Sequence, residues 1–268
     1  MSLRTAAVLA RRELRGGLRG FRIFLACLAL GVAAIAGVGS VRSAIQTGLS
    51  EQGAVLLGGD AQAEFTYRFA SDAERDWLES VSQEVSEVTD FRSMAVVERD
   101  GQTERGLTQV KSVDAAYPLL GQVRLEPEMP LSEALAGRDG LPGAVMAPLL
   151  ANRLALQPGD RFRLGSQDFV LSARIAAEPD DAGAGFALGP RTIVTTEALQ
   201  GSGLLAPGSL FETQYRMTLP PGTDLAALER EALERFEDTG IRWRDARNGV
   251  PGIETFVERL ASFLVLLA

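Results

Sequence analysis

The chain has 268 residues, of which 46% are hydrophobic and 23% charged, with a net charge of -8, one cysteine and no histidine. The missing histidine excludes Ser-His-Asp and Cys-His nucleophilic sites, the usual zinc sites and an imidazole base working near neutral pH. A single cysteine rules out an internal disulfide framework, and the acidic balance argues against nucleic acid as a partner.

The first 22 residues carry six arginines (Arg4, Arg11, Arg12, Arg15, Arg19, Arg22) against one acid, Glu13, a local charge of +5 that leaves -13 for the rest. Leu3, Ala7, Ala10 and Leu14 share one side of a helix over residues 3–15, with Arg4, Arg11 and Arg15 on a neighbouring stripe. Two readings stand. The helix lies at the cytoplasmic lipid surface, each arginine contributing about 1 kcal/mol near anionic headgroups, or it is a solvated leader that only sets topology. Gly16, Gly17 and Gly20 predict a bend after it.

Ile23 to Val41 is a run of nineteen residues without a charge. As a helix it would be about 28 Å long, close to the roughly 30 Å hydrocarbon core of a bilayer, so a transmembrane helix is predicted. Short basic flanks stay in the cytoplasm. Arg11, Arg12, Arg15, Arg19 and Arg22 therefore fix the topology, with the N-terminus inside and the acidic remainder outside. Ala29, Ala33 and Gly37 recur every fourth residue and form a smooth seam on which another helix could pack. An alanine- and glycine-rich composition gives the same spacing by chance, and the sequence does not separate the two. A cleaved signal peptide ending at Ala34-Ile35-Ala36 is a rival reading. The length of the basic and apolar parts disfavours it, as does a second apolar run, Phe263 to Ala268. Lipid attachment at Cys27 is disfavoured because the apolar run continues well past it.

Beyond Arg42 a helical stalk through Ala44, Ile45 and Leu49 is predicted to end near Gly58-Gly59. Asp60 to Tyr67 alternates as a strand, and Ser71-Asp72-Ala73-Glu74 has capping-box spacing for a helix reaching about Ser82. Strands at Val85 to Val97 and Gly106 to Val110 complete a β-α-β-β unit. Leu119 to Gly143 is rich in proline and glycine and carries no assigned element. A short helix follows at Leu149 to Leu154, then a hairpin of Arg161 to Leu164 and Gln167 to Ile175 turning at Gly165-Ser166, then a strand at Arg191 to Thr196. Phe211 to Leu219 is again a strand and Asp224 to Phe236 a helix, with Leu225, Leu228, Ala232, Leu233 and Phe236 at helical spacing. Ile241 to Asp245 closes a second β-α-β unit.

The predicted class is α+β, with an N-terminal transmembrane helix, an extracytoplasmic domain of two β-α-β-type units holding an inserted small β-rich lobe, and the start of a second transmembrane helix. The expected parts are a basic leader (1–20), a span (21–42), a stalk (43–59), an α+β domain (60–140 and 201–250), an inserted β-rich subdomain (141–200), and a stalk with the start of another span (251–268). Ser43 to Glu254 is expected to fold alone as a soluble acidic domain.

No residue is assigned a catalytic, cofactor-binding or metal-binding role. Glu178, Asp180 and Asp181 share a loop with Gly183 and Gly185, but their spacing is not that of a calcium loop, and solvated carboxylates are the simpler expectation. Whether that loop binds anything is not legible from the sequence. Lys111, the only lysine among 27 basic residues, lacks the glycines of a phosphate-cradling loop. Trp77 and Trp243 stand singly and read as core or surface residues rather than a stacking platform.

The leader LARRELRGGLRGFR, the stalk SAIQTGLSEQGAVLLGGD and the stretch AVMAPLLANRLALQPGDRFRLGSQDFVLSARI together resemble the N-terminal part of an FtsX-like or MacB-like ABC transporter permease. The leucine-glycine-glycine-aspartate at the end of the stalk resembles the YbbP-like subgroup. The resemblance implies a non-catalytic permease subunit with a porter-like extracytoplasmic domain and no cofactor of its own. It implies an inner-membrane protein with residues of about 43–255 outside the cytoplasm. Its partners would be a separate ABC ATPase subunit, membrane lipids, and a second permease or a periplasmic protein. ATP hydrolysis would be transmitted through the stalks to the outer domain, a mode called mechanotransmission, with a lipid-like or hydrophobic cargo. Because the chain stops at Ala268, a few residues into its second apolar run, it is expected to be a fragment. An extracellular sensor domain of a membrane receptor is the alternative, and it would continue into a cytoplasmic signalling helix. A secreted enzyme is disfavoured by the lack of histidine.

Overall fold

The computed structural model describes residues 24–33, 36–37, 53–99, 101–180, 189–206 and 208–247. The chain divides into two units, one formed by residues 1–49 with 253–268 and the other by residues 50–252. In the first, residues 24–33 and 36–37 are helical and exposed. Among the described residues, no helix is long and apolar enough to cross a membrane. The basic leader, part of the expected span and the second apolar run lie outside the described residues.

Among the described residues, the second unit holds ten strands, β1 (Ala61–Thr66), β2 (Glu84–Arg99), β3 (Gln102–Val113), β4 (Arg124–Glu126), β5 (Gly143–Met146), β6 (Arg161–Leu164), β7 (Gln167–Ala177), β8 (Arg191–Thr195), β9 (Phe211–Thr218) and β10 (Arg242–Asp245), all in one sheet in the order β10-β1-β9-β2-β3-β8-β5-β7-β4 with β6 bridging β2 and β7. Four strands and two helices come from the two expected β-α-β units. These are β1 (Ala61–Thr66), α1 (Asp72–Val81) and β2 (Glu84–Arg99), then β9 (Phe211–Thr218), α4 (Leu225–Arg235) and β10 (Arg242–Asp245). They interleave as β10-β1-β9-β2, every pair antiparallel, which is a split β-α-β arrangement. Both helices are capped by their own sequence. Ser71 and Glu74 close a capping box on α1, and Asp224 accepts from the amides of Ala226 and Ala227 at the start of α4. The helices bury Trp77, Leu78, Leu228 and Ala232 against Phe65, Tyr215, Met217 and Trp243 of the sheet. Trp77 and Trp243, well separated in sequence, sit with ring centroids 6.2 Å apart.

β2 is 16 residues long and serves both halves of the sheet. Residues 84–91 pair with β9, while Ala95 and Val96 pair with β6 (Arg161–Leu164). β3 (Gln102–Val113) returns beside β2 in unbroken register and pairs in parallel with β8 (Arg191–Thr195). β5 (Gly143–Met146) lies between β8 and β7 (Gln167–Ala177), and β6 joins β7 back to β2. The ring β2-β3-β8-β5-β7-β6 is thus closed by hydrogen bonds, so those strands expose no edge. Phe91, Ala95, Val110, Met146, Phe162, Leu164, Phe169, Leu171 and Val194 form its core. α3 (Pro148–Arg153) adds Leu150 and Ala151 to that core, and Gly106 makes room for it, since a Cβ there would lie 2.5 Å from Leu150 Cδ1.

The proline- and glycine-rich stretch holds two elements the sequence did not signal, β4 (Arg124–Glu126) and α2 (Leu131–Ala136). They cover the barrel's outer side, packing Leu125, Ala134 and Leu135 on Val145, Ala173, Ile175 and Ile193. A three-residue strand carries no period, and α2 follows Pro130 with no side-chain cap to mark its start.

Candidate functional site

Two features converge at one corner of the domain, where the chain arrives and where it leaves. The arriving residues 53–57 form a helical turn ended by Gly58 in the left-handed region (φ 81). The Gly58 and Gly59 amides both donate to the Ala54 carbonyl at 2.9 Å, the close of a helix that glycine allows. Gly59 must be small, because a Cβ there would stand 2.8 Å from the Met217 carbonyl oxygen. Asp60 then holds three segments at once. Its amide donates to Met217 O at 2.8 Å, its Oδ2 accepts from the Leu219 amide at 2.8 Å, and its carbonyl accepts from the Ala246 amide at 2.9 Å. A Cβ on Gly53 would collide with the Ala246 carbonyl, so the arriving and leaving backbones lie against each other.

Behind this corner lies a buried ionic network. Lys111 on β3 donates to Glu178 Oε2 at 2.9 Å, Asp180 Oδ2 at 2.8 Å and the Tyr117 hydroxyl at 3.3 Å. Tyr117 donates in turn to Asp180 Oδ1 at 2.9 Å, and Arg216 on β9 donates to Asp180 Oδ2. Arg191 on β8 reaches Glu178 at 3.7 Å and Asp90 on β2 at 2.5 Å. Three cations thus face three carboxylates. Strand pairing explains the meeting, because Asp90 stands directly across from Lys111 in the β2-β3 register. The expectation of solvated carboxylates is therefore corrected for Glu178 and Asp180, whose side chains are 4% and 1% exposed. Asp181 lies outside the described residues. A buried charge is stable only when paired, and the chain uses its one lysine and two arginines for that purpose.

The electrostatics follow from this packing. Burial alone would raise the Asp180 carboxyl, but the charges of Arg216 and Lys111 outweigh it and hold the group well below the usual carboxylate range. The Tyr117 hydroxyl is pushed far up by burial and by the Asp180 and Glu178 charges, so it stays protonated and serves as a donor. Glu64 on β1 behaves oppositely. Burial raises it more than Arg242 lowers it, with Glu212 adding to the rise.

The network holds no base beside a nucleophile, and its carboxylates already carry cations. Among the described residues, no group of three or more His, Cys, Asp or Glu side chains could hold a metal ion. What the arrangement can do is bind segments together. Of the residues singled out in the sequence, Ala29, Ala33 and Gly37 are helical and exposed, and a Cβ on Gly37 would meet nothing within 4 Å. Arg11, Arg12, Arg15, Arg19 and Arg22 lie outside the described residues. Sequence reasoning missed Arg216, Arg191, Asp90, Tyr117 and Asp60. The one signal that could have found the network is Lys111, a charge inside the buried-strand pattern of β3.

Residues 23–235 match the family model described as the MacB-like periplasmic core domain. The chain belongs to that family. A curated relative, the uncharacterized ABC transporter permease YbbP of Escherichia coli K12, is 25% identical over 241 residues. That match takes in 90% of this chain and 28% of the relative, so the MacB-like chain described here spans about a quarter of the permease's length. Among solved structures, the periplasmic region of MacB from Actinobacillus actinomycetemcomitans is 11% identical with a TM-score of 0.48, covering 75% of this chain and 94% of that one. The extracellular domain of the ABC-type transporter YknZ from Gram-positive bacteria is 9% identical with a TM-score of 0.44, covering 69% and 100%. The family is thus that of MacB-like periplasmic core domains, here of mixed α and β structure.

Proposed function

We propose that this chain is the outer domain, with its membrane connections, of an ABC transporter permease subunit of the mechanotransmission type. The observation that carries the reading is the corner at Asp60, where Gly53 and Asp60 of the arriving segment meet Ala246 of the leaving one. Connections that meet at one point let movement from the membrane side act on the domain as a single push. The division into an α+β body (60–140 and 201–250) and an inserted β-rich part (141–200) belongs to the proposal. So do the span with its seam at Ala29, Ala33 and Gly37, and the cytoplasmic arginine leader. ATP would be hydrolysed by a separate ATPase subunit, and the cargo would be a lipid-like or hydrophobic molecule. Membership of the MacB-like family and the match to a permease support this reading.

The test is to read the gene past codon 268 and its neighbours, purify the protein as its gene encodes it, and identify what co-purifies. Further apolar spans and an ATPase that co-purifies support the permease. A single span followed by a cytoplasmic signalling helix, with no bound ATPase, overturns it in favour of a receptor's sensor domain.

A further inference from the structure

We infer that the corner at Asp60 and the buried network form one coupling joint, so that displacing residues 53–60 is felt at Asp180 and Lys111 and the reverse. The claim rests on the permease reading for its purpose and on contacts within residues 53–247 for its existence.

Two routes lead inward from the corner. The first is electrostatic. The Gly58 backbone lies directly on the Arg216 guanidinium, where a Cβ would come within 2.6 Å of Nη1 and 3.2 Å of Cδ and Cζ. Arg216 binds Asp180, Asp180 shares Lys111 with Glu178, and Glu178 faces Arg191, which holds Asp90. Asp60 grips the same strand on either side of Thr218, at Met217 and Leu219. The second route is packing. A Cβ on Gly121 would lie 2.5 Å from Pro179 Cβ and 3.7 Å from Val55 Cγ1, so the arriving turn and the residue between Glu178 and Asp180 meet over one glycine. Both routes end on the segment that leaves β7, and the first continues to β3, β8 and β2.

Such a joint transmits movement rather than absorbing it. Close-packed interiors have little give, and a dry ion pair cannot be drawn apart gradually, because separation leaves each charge uncompensated. Coupling between two sites is also reciprocal: whatever loosens one end loosens the other by the same factor.

Hydrogen exchange on the whole chain in detergent tests this. Lys111→Met touches none of the hydrogen bonds of residues 53–60. It should nonetheless speed exchange of the Gly58, Gly59 and Asp60 amides by about fivefold or more, the lower bound of ordinary site coupling. Gly58→Ala, acting from the other end, should speed exchange around residues 178–180 similarly. Arg163→Ala, which breaks only the exposed pair with Glu98, should change neither region. Acceleration confined to the neighbourhood of residue 111, or a rise at residues 58–60 no larger than the uniform one that lost global stability gives α4 and β6, would overturn the joint in favour of a purely local or purely global structural role. Asp180→Asn keeps the side-chain shape and carries the same expectation should Lys111→Met fail to fold. The exchange pattern needs no ATPase or cargo, so its failure is distinct from failure of the permease reading.

Discussion

Lys111 Nζ stands 2.8 Å from Asp180 Oδ2, and both side chains are 1% exposed. Removing one partner strands the other in a dry site, so Lys111→Met should lower unfolding stability by about 3 kcal/mol or more. The exposed pair Arg163–Glu98 is the contrast, with side chains 39% and 62% exposed, and Arg163→Ala should cost no more than about 0.5 kcal/mol. Urea unfolding of both variants measures the difference. Equal costs would show that burial is not what makes the network matter.

Acid should weaken the domain in a defined direction. Asp180 has a folded-state pKa below its unfolded value, so the unfolded chain binds the extra proton first. The stability it contributes is whole above the ordinary carboxylate range and falls away below it. Glu74 acts in the same sense, since hydrogen bonds from Arg68 and Ser71 overcome burial and hold it at about 2. Its share is lost between a pH of about 4.5 and about 2. Asp180→Asn should therefore lower the urea midpoint at pH 7 and flatten its dependence on pH below 5. A variant with the parent's full acid slope would contradict the assignment.

Glu64 predicts the opposite outcome. Its pKa is raised, so the folded protein binds the proton more tightly than the unfolded chain, and stability grows as pH falls through that value. Its ionised form is held in the folded protein at a cost. Arg242, its closest partner, is half exposed and rehydrates easily when the pair is removed. Glu64→Gln should leave the urea midpoint unchanged or raise it, and a loss as large as that of Asp180→Asn would refute this.

The barrel core offers a packing test. Leu150→Ala should cost about 2–5 kcal/mol through the cavity it leaves. Gly106→Ala should cost about 1–3 kcal/mol, because the added methyl meets Leu150 Cδ1 at 2.5 Å. The double variant should lose less than the sum, since each change relieves the other. Strict additivity in a double-mutant cycle would show that the two side chains do not share space.

Limited proteolysis checks the boundaries. The three apolar clusters draw all their residues from within 53–247, so Ser43 to Glu254 should survive as a resistant fragment. Early cleavage between β6 and β7 would argue against it.

The sequence by itself determined the local elements that have a period or a cap. The Ser71 and Glu74 box, the Asp224 cap, the Gly165-Ser166 turn and the alternating strands were legible because each depends on residues a few positions apart. The family was legible too, in contiguous stretches such as the stalk ending at Asp60. The tertiary structure alone decided the rest. Closure of the barrel depends on Ala95 pairing with Leu164, and no local pattern records which strand lies beside which. Glu178 and Asp180 looked like solvent-facing carboxylates because burial belongs to position rather than to residue type. Only the fold brings Lys111, Arg191 and Arg216 from three strands to the same two carboxylates, and only there does their charge become a tie between distant parts of the chain.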